Sequence, residues 1–520
     1  MAVTEQPTTP TASRTGAGRP GVAPVPEVGP DGTFASYEPA TGAVVGRFAA
    51  ADDDVVRSAV ARGRAASAWW QAQGFAGRAR HLGAWKARIA RHVDALAELS
   101  HRENGKPVAD ATLEITMAVE HIAWAASHAA KVLGERRVGS GAFMANQVAL
   151  LEYQPLGVVG VIGPWNYPVF TPMGSIAYAL AAGNAVVFKP SEYTPAVGDW
   201  LVAAWRDAVP DGADVLQLVT GLGATGAALC RAGVDKVAFT GSARTGRKVM
   251  AACAEGLVPV LMECGGKDAL IVDDDADVDA AASAALWGAM SNAGQTCIGI
   301  ERVYATDAVY DRFVAAIAAK AAALAPGSGE RASYGPVTMP AQLDVIEAHI
   351  DDALARGGRA VVGGAGAVHD GVVDPTVLVD VPEDARAVQE ETFGPTITVA
   401  RVATAEEGVE RANGTGYGLA GAVFTASRRR GLELARRMRS GMTSVNSVMS
   451  FAAVPSLPFG GVGESGFGRI HGEDGLKEFA RAKAITTQRF PLPVDMMSFT
   501  RPAAATKVVA TVVKLLHGRG

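Results

Sequence analysis

GVVGVIGPWNYP, Gly157 to Pro168, begins with six residues that are all apolar or glycine. A short apolar run bounded by turn formers reads as a buried strand. It stops at Gly163-Pro164, and a polar amide, Asn166, then stands among aromatic and proline residues. Helical text follows through IAYALAA (Ile176 to Ala182), and a second apolar run covers Ala185 to Phe188. Strand, loop, helix and strand again make a βαβ unit, and such units build parallel sheets.

C-terminal to this stretch the rhythm recurs at Val215 to Val219, Lys236 to Phe239 and Val258 to Met262. A second alternating region runs from about Leu270 to Phe479. Its strand-like runs are Ala269 to Val272, Val303-Tyr304, Ala360 to Val362, Ile397 to Val399 and Ala422 to Phe424. The reading is an α/β fold with two such domains joined near residue 263. On the N-terminal side, SYEPATGAVVGRF (Ser36 to Phe48) predicts a hairpin around Thr41-Gly42. Asp52-Asp53-Asp54 predicts a capped helix running to about Trp70. Helical text covers Arg78 to Glu103 and Ala109 to Leu133, broken by the Gly and Pro of ENGKP (Glu103 to Pro107). The charges in these helices read as solvated faces.

The chain has 520 residues, a length for roughly three domains, with 49% hydrophobic and 19% charged residues. That composition argues against bulk disorder. A net charge of −5 gives no footprint for nucleic acid. The four cysteines, Cys230, Cys253, Cys264 and Cys297, form no CxxC pair. They can build neither a disulfide framework nor a zinc site, so no metal is expected and the setting reads as reducing and cytoplasmic. Residues 1–30 lack an apolar signal region and read as a disordered tail. TKVVATVVKLLH, Thr506 to His517, is too short to span a bilayer. It is expected to be a short helix or strand packed on the body, the alternative being a contact with another subunit or a membrane surface.

Two glycine loops compete as phosphate sites. Gly221 to Gly226 matches GxGxxG, but the next acidic residue, Asp235, comes too early for a ribose-binding carboxylate. Val237 to Ser242 is a strand ending in a Gly-Ser turn, with Gly246 beyond it. Amides at the start of the following helix could hold phosphate, and an ordinary βα turn would look the same.

Met262-Glu-Cys-Gly-Gly-Lys267 sets a carboxylate at a strand end, and Asn292-Ala-Gly-Gln-Thr-Cys297 sets a thiol in a small polar loop. Taken singly, such residues are turn, cap or packing residues. Taken together with PWNYP, FKPSE, FTGS, EETFGP and PFGGVGESGFGR, in that order, they resemble the NAD(P)-dependent aldehyde dehydrogenase superfamily from about residue 34 to 490. The 34-residue interval between Glu263 and Cys297 also resembles that of the family.

The resemblance implies a Rossmann-type NAD-binding domain (34–137 and 156–262), a catalytic domain (263–480) and a bridging β extension (138–155 and 481–496). Tails at 1–33 and 497–520 flank them. It implies a homodimer or homotetramer and a small-molecule aldehyde as substrate. It assigns Cys297 as the nucleophile that forms a thiohemiacetal and then a thioester, and Glu263 as the general base that activates the hydrolytic water. Asn166 and the Cys297 backbone N–H would form the oxyanion hole. Trp165, Lys189, Glu192, Gly221, Gly241, Ser242, Glu391 and Phe393 fall where the family contacts its cofactor. A carboxylate at Glu192 favours the free 2′-hydroxyl of NAD, while Lys189 leaves NADP possible. The chain departs from the family at Cys264, at Asp268-Ala269 and at Gly463, where the family usually has lysine.

Segments that resemble the aldehyde tunnel are Val169 to Gly174, Met290-Ser291, Thr296, Ile298 and Ser447 to Leu457. They carry small residues at Thr171, Gly174 and Ser291 and no arginine. This favours a medium or long aliphatic or aromatic aldehyde over succinate semialdehyde. A cysteine hydrolase working without nicotinamide is the competing class, and it would need a histidine partner for Cys297.

Overall fold

The computed structural model describes residues 21–518, Glu330 excepted. Its first sheet holds β1 (Val158–Ile162), β2 (Ala185–Lys189), β3 (Leu216–Leu218), β4 (Lys236–Thr240) and β5 (Val260–Glu263). These five run parallel in the order β3-β2-β1-β4-β5. The chain winds outward from β1 in one direction, returns, and winds outward in the other. Strand order therefore reverses between β1 and β4, and ligands of such sheets bind beyond the carboxyl ends at that point. A sixth strand, Gly466–Phe467, returns from far along the chain and pairs antiparallel with β5.

The second sheet follows β5 after four residues. It holds β6 (Asp268–Val272), β7 (Ile300–Thr306), β8 (Arg359–Val362), β9 (Thr376–Val379), β10 (Thr396–Val402), β11 (Gly421–Phe424) and β12 (Ser444–Val445). Their order is β8-β9-β10-β7-β6-β11-β12, parallel except for β8. Both inner sets are apolar on both faces because helices cover both sides. A three-stranded antiparallel sheet of Arg136–Val138, Gln147–Pro155 and Ala480–Gln488 stands apart.

Four helices position the site: α1 (Val108–Leu133), α2 (Phe170–Ala182), α3 (Ala243–Ala254) and α4 (Val278–Met290). Every residue of α2 is buried, as its apolar text requires. Asp52 caps the helix Asp53–Ala72, accepting from the Val55 amide at 2.9 Å. The Gly105 backbone, at φ +91°, ends the helix Val93–Asn104 and turns the chain into α1.

Three expectations need correction. Of the expected tail 1–33, residues 1–20 lie outside the described residues, while from Gly21 the chain follows the body. There Val22 packs on a cluster with Val337, Leu343 and Ile346. The segment Arg78 to Glu103 is two helices, Gly74–Arg91 and Val93–Asn104, broken at His92. The C-terminal text does form a helix, α5 (Ala503–His517), but none of its residues is buried. No helix among the described residues is long and apolar enough to cross a membrane.

Candidate active site

Asn166, Glu263 and Cys297 come from three separate segments and line one cavity or its wall. Asn166 follows β1, Glu263 ends β5, and Cys297 lies between α4 and β7. Glu263 and Cys297 line a cavity of about 370 Å³. Asn166 is buried beside it, and its side-chain Nδ2 donates to the Gln295 carbonyl at 2.9 Å. An amide nitrogen carries two N–H groups, so a second donor remains.

The loop NAGQTC is built by its own polar groups. Asn292 Nδ2 donates to the Asn166 carbonyl at 3.0 Å. Gln295 Oε1 accepts from the Thr338 amide at 2.8 Å, and Thr296 Oγ1 meets the Tyr167 hydroxyl at 2.9 Å. Asn292, Ala293 and Gly294 all have positive φ, between +53° and +70°. Three consecutive left-handed residues in a buried loop mark a strained, held turn. At Gly294 a Cβ would meet the Gly394 carbonyl carbon at 2.1 Å. At Gly266 it would meet the Cys297 carbonyl oxygen at 2.4 Å, and at Gly265 the Glu391 carboxylate at 2.2 Å. The glycines of ECGGK, NAGQTC and EETFGP are thus contact points between the motifs.

Both Glu263 carboxylate oxygens are buried without a hydrogen-bond partner. Burial holds this carboxyl well above the usual range, with Arg469 opposing. Burial likewise pushes the Cys297 thiol up, helped by Glu263, Glu391 and Asp268. Glu391 accepts from the Gly266 amide at 3.1 Å and is pushed up to about 8 by burial and by Glu301. Cys264 is buried near Gly246, and it also lines the cavity.

Most charges of the N-terminal helices do form solvated faces, but a few buried ones do not. Lys106 and Glu114 are fully buried and bonded at 2.6 Å. Lys106 Nζ also donates to the Asn166 carbonyl at 2.7 Å. Glu114 accepts from the Val169 and Phe170 amides at 2.7 and 3.0 Å, capping α2. Glu103 similarly accepts the Ala196 and Val197 amides at the start of Pro195–Ala208. A signal was present: Glu114 lies on the α1 stripe that carries Ala111, Ala118 and His121, all buried. Lys267 is paired with Glu301 in the second sheet, and Glu301 also accepts the Thr392 and Phe393 amides.

The crevice at the β1–β4 reversal gathers most of the residues matched to cofactor contacts. Trp165 follows β1 and Ser242 follows β4. The Ser242 hydroxyl caps α3, accepting from the Thr245 amide at 3.3 Å. The first-turn amides of α3 have no partner within the helix, which suits a phosphate. Trp165 stands edge-on to Phe393 at 5.6 Å. Lys189 ends β2; it is buried, donates to the Pro190 carbonyl at 3.0 Å and lies 3.9 Å from Glu192. A Cβ at Gly241 would meet the Phe239 ring at 2.7 Å. These groups fit an elongated, diphosphate-bearing nucleotide. GxGxxG lies after β3, at the far edge of the sheet, with Gly221 at φ +147° and Gly226 next to the Lys189 stem. It is therefore not the turn at the reversal point.

The cavity is mostly apolar. Tyr167, Phe170, Ser291, Ile298, Val448 and Met449 line it, with Leu113 and Met117 from α1 and Trp287 from α4. The last three were not anticipated. Gly174 does not line it: a Cβ there would meet His471 Nε2 at 2.6 Å. Val454 and Leu457 face solvent instead. The lining contains no arginine and no histidine.

The model of the aldehyde dehydrogenase family matches residues 28–485. The chain is 34% identical to 4,4′-diapolycopene aldehyde oxidase of a Methylomonas species, over 94% of this chain and 92% of that one. It is 36% identical to a probable NADP(+) succinate-semialdehyde dehydrogenase of Sinorhizobium fredii, over 87% and 92%. The solved NAD-dependent aldehyde dehydrogenase of Sinorhizobium meliloti superposes with TM-score 0.84 at 32% identity, covering 90% of this chain and 93% of that one. With the fold, the ordered motifs and these likenesses in agreement, the chain belongs to the aldehyde dehydrogenase family and is an oxidoreductase that acts on aldehydes.

Proposed function

We propose that the chain oxidises medium or long, apolar aldehydes to carboxylic acids with NAD, through Cys297. The observation that carries the substrate class is the arginine-free apolar cavity ending at Cys297 and Glu263. Its only cation, Lys106, is already neutralised by Glu114, and Asp110 adds a further carboxyl. A substrate carboxylate, as in succinate semialdehyde, would be desolvated there without a partner. The 4,4′-diapolycopene aldehyde in the name of the Methylomonas relative supports the same reading.

The Cys297 sulfur attacks the carbonyl carbon and yields a thiohemiacetal, its proton passing to a neighbouring carboxylate. The Asn166 Nδ2 N–H and the Cys297 amide meet the developing oxyanion, one such donor contributing about 3–4 kcal/mol. When bound, the nicotinamide supplies the acceptor for the hydride leaving the former carbonyl carbon. Glu263 then takes a proton from water as that water attacks the thioester, releasing the acid. Trp165, Gly241 and Ser242 would hold the cofactor at the reversal point, with Lys189 and Glu192 at the adenosine ribose and Gly221 near the adenine. Glu391 and Phe393 would hold the nicotinamide end. Glu192, with Lys189 turned towards a carbonyl, favours NAD over NADP.

The bridging strand Ala480–Gln488 is largely exposed and unpaired on one edge. It is the proposed subunit contact of a homodimer or dimer of dimers. The four free thiols fit a cytoplasmic setting. The cysteine-hydrolase reading lacks support, since no histidine lines the cavity. The test is a panel of aldehydes with NAD and with NADP. Rising kcat/KM with chain length, preference for NAD, and no turnover by Cys297→Ala are expected. Equal turnover of succinate semialdehyde would refute the substrate class, and turnover by Cys297→Ala would refute the mechanism.

A further inference from the structure

The tail beyond Asp495 contains Arg501, Lys507, Lys514 and Arg519 and no carboxylate side chain, in a chain whose net charge is −5. At 3.6 residues per turn, α5 sorts its side chains cleanly. Val508, Val509, Val512, Leu515 and Leu516 fall on one side, and Lys507, Lys514 and His517 on the other. The apolar side is largely open, with Val509 and Val512 half-buried and the rest exposed. Val508 is 62%, Leu515 68% and Leu516 57% exposed, and Phe499 just upstream is fully exposed. No α5 residue belongs to a hydrophobic cluster, and among the described residues neither Lys507 nor Lys514 has an ion-pair partner.

We propose that α5 is a docking element for an anionic lipid surface. It is 15 residues long, about 22 Å, too short to span a bilayer and suited to lie in its interface. Its leucines and valines enter the acyl boundary while the lysines on the opposite side stay at headgroup level. Charge complementarity selects this occupant. A second copy of this chain could cover the apolar side, but the charged residues of the opposite side are all basic, and an anionic headgroup layer supplies their counter-charge. The docking does not depend on the substrate reading. One consequence does: an aldehyde that favours the apolar cavity also concentrates in lipid, so docking brings the cavity to its substrate.

The test sediments the full chain with vesicles of phosphatidylcholine, with and without roughly a third phosphatidylglycerol, in the absence of aldehyde. Binding to the anionic vesicles that weakens with salt is expected. Lys507→Gln with Lys514→Gln should weaken it about 25-fold, each lysine near the surface accounting for about fivefold. Leu515→Glu with Leu516→Glu, or truncation after Asp495, should abolish it. Turnover of a small water-soluble aldehyde should stay unchanged in all three variants and reports that they fold. Absence of vesicle binding by the full chain, binding that survives the variants, or a change of oligomeric mass on truncation would each overturn the proposal. The last result would assign α5 to a contact between copies.

Discussion

Removing one partner of the Lys106–Glu114 pair tests whether these buried charges build the site or merely sit near it. Both side chains are fully buried and 2.6 Å apart. Glu114→Gln keeps an acceptor for the Val169 and Phe170 amides but leaves a buried Lys106 without its ion-pair partner, facing the Asn166 carbonyl and the Tyr167 ring. Breaking a buried pair in this way costs about 3–5 kcal/mol. Lys106→Met leaves a carboxylate that still accepts two amides and can escape by protonation, so its cost is smaller and falls as pH is lowered. The double variant leaves no unpaired charge. It should cost less than Glu114→Gln alone, with a coupling of about 2–3 kcal/mol. For 520 residues unfolding together, a melting entropy of about 1 kcal/mol per kelvin turns the single-variant loss into about 3–5 °C. Thermal melts of the four proteins, with kcat measured in parallel, complete the cycle. Lys106→Met should also lower kcat about tenfold, because a slackened Asn166 loop misplaces an oxyanion donor. Additive melting shifts would refute the pairing argument, and an unchanged kcat would refute the link to Asn166.

Glu263→Gln should release about one equivalent of reduced cofactor per site in a burst and then stall, because the thioester lacks its base; an unchanged steady rate refutes that role. Gly294→Ala should destabilise by about 3 kcal/mol and abolish turnover, since φ is +70° and the Cβ meets Gly394 at 2.1 Å. The control Gly74→Ala, at φ +57° with open space around its Cβ, should cost only about 1 kcal/mol, and equal melting shifts would sink the packing explanation. Burial holds His121 down at about 4, with the Ala452 carbonyl 3.0 Å from its Nε2 opposing. Its stabilisation is complete above the unfolded value near 6.5 and is lost as pH falls towards 4, about 3 kcal/mol in all. The pH dependence of melting should therefore flatten in His121→Gln between pH 6.5 and 4; parallel curves would contradict it.

The parallel sheets were legible because buried strands are apolar on both faces and short, and Gly157 to Ile162 or Ala422 to Phe424 admit no other reading. Thr376–Val379 was missed because Pro375 and two flanking aspartates make VDPTVLVD look like a loop. Asn166, Glu263 and Cys297 were legible only through their motifs, for nothing in a linear sequence states that three segments share one cavity. Lys106, Glu103 and Glu114 were misread because charge predicts exposure when partners are unknown, and their partners lie on other elements. The tail helix was misread for the converse reason: apolar text predicts packing, and α5 has no body surface to pack on.

The electrostatics of the site constrain how the proposed nucleophile is made. Glu263 and Asp268 are buried, Glu391 and Cys297 half-buried beside them, and desolvation pushes all four towards their neutral forms. The nearby lysine, Lys267, is bonded to Glu301, so its charge is largely spent. Arg469 opposes at Glu263 but reaches the Gly461 and Gly468 carbonyls instead of the carboxylate. With so little positive charge to share, two anions side by side would be strongly disfavoured. A thiolate is then cheapest to form when its proton stays inside the site on Glu263, and the two groups titrate as one unit. The orphaned Glu263 oxygens are consistent with this shuttle. A carboxylate fixed by donors would be a weaker base, whereas an unbonded one can take the proton from Cys297, release it to solvent once the thioester has formed, and then take another from the attacking water. The same absence of donors costs stability, and the loss of partners at both of its oxygens fits a group retained for chemistry.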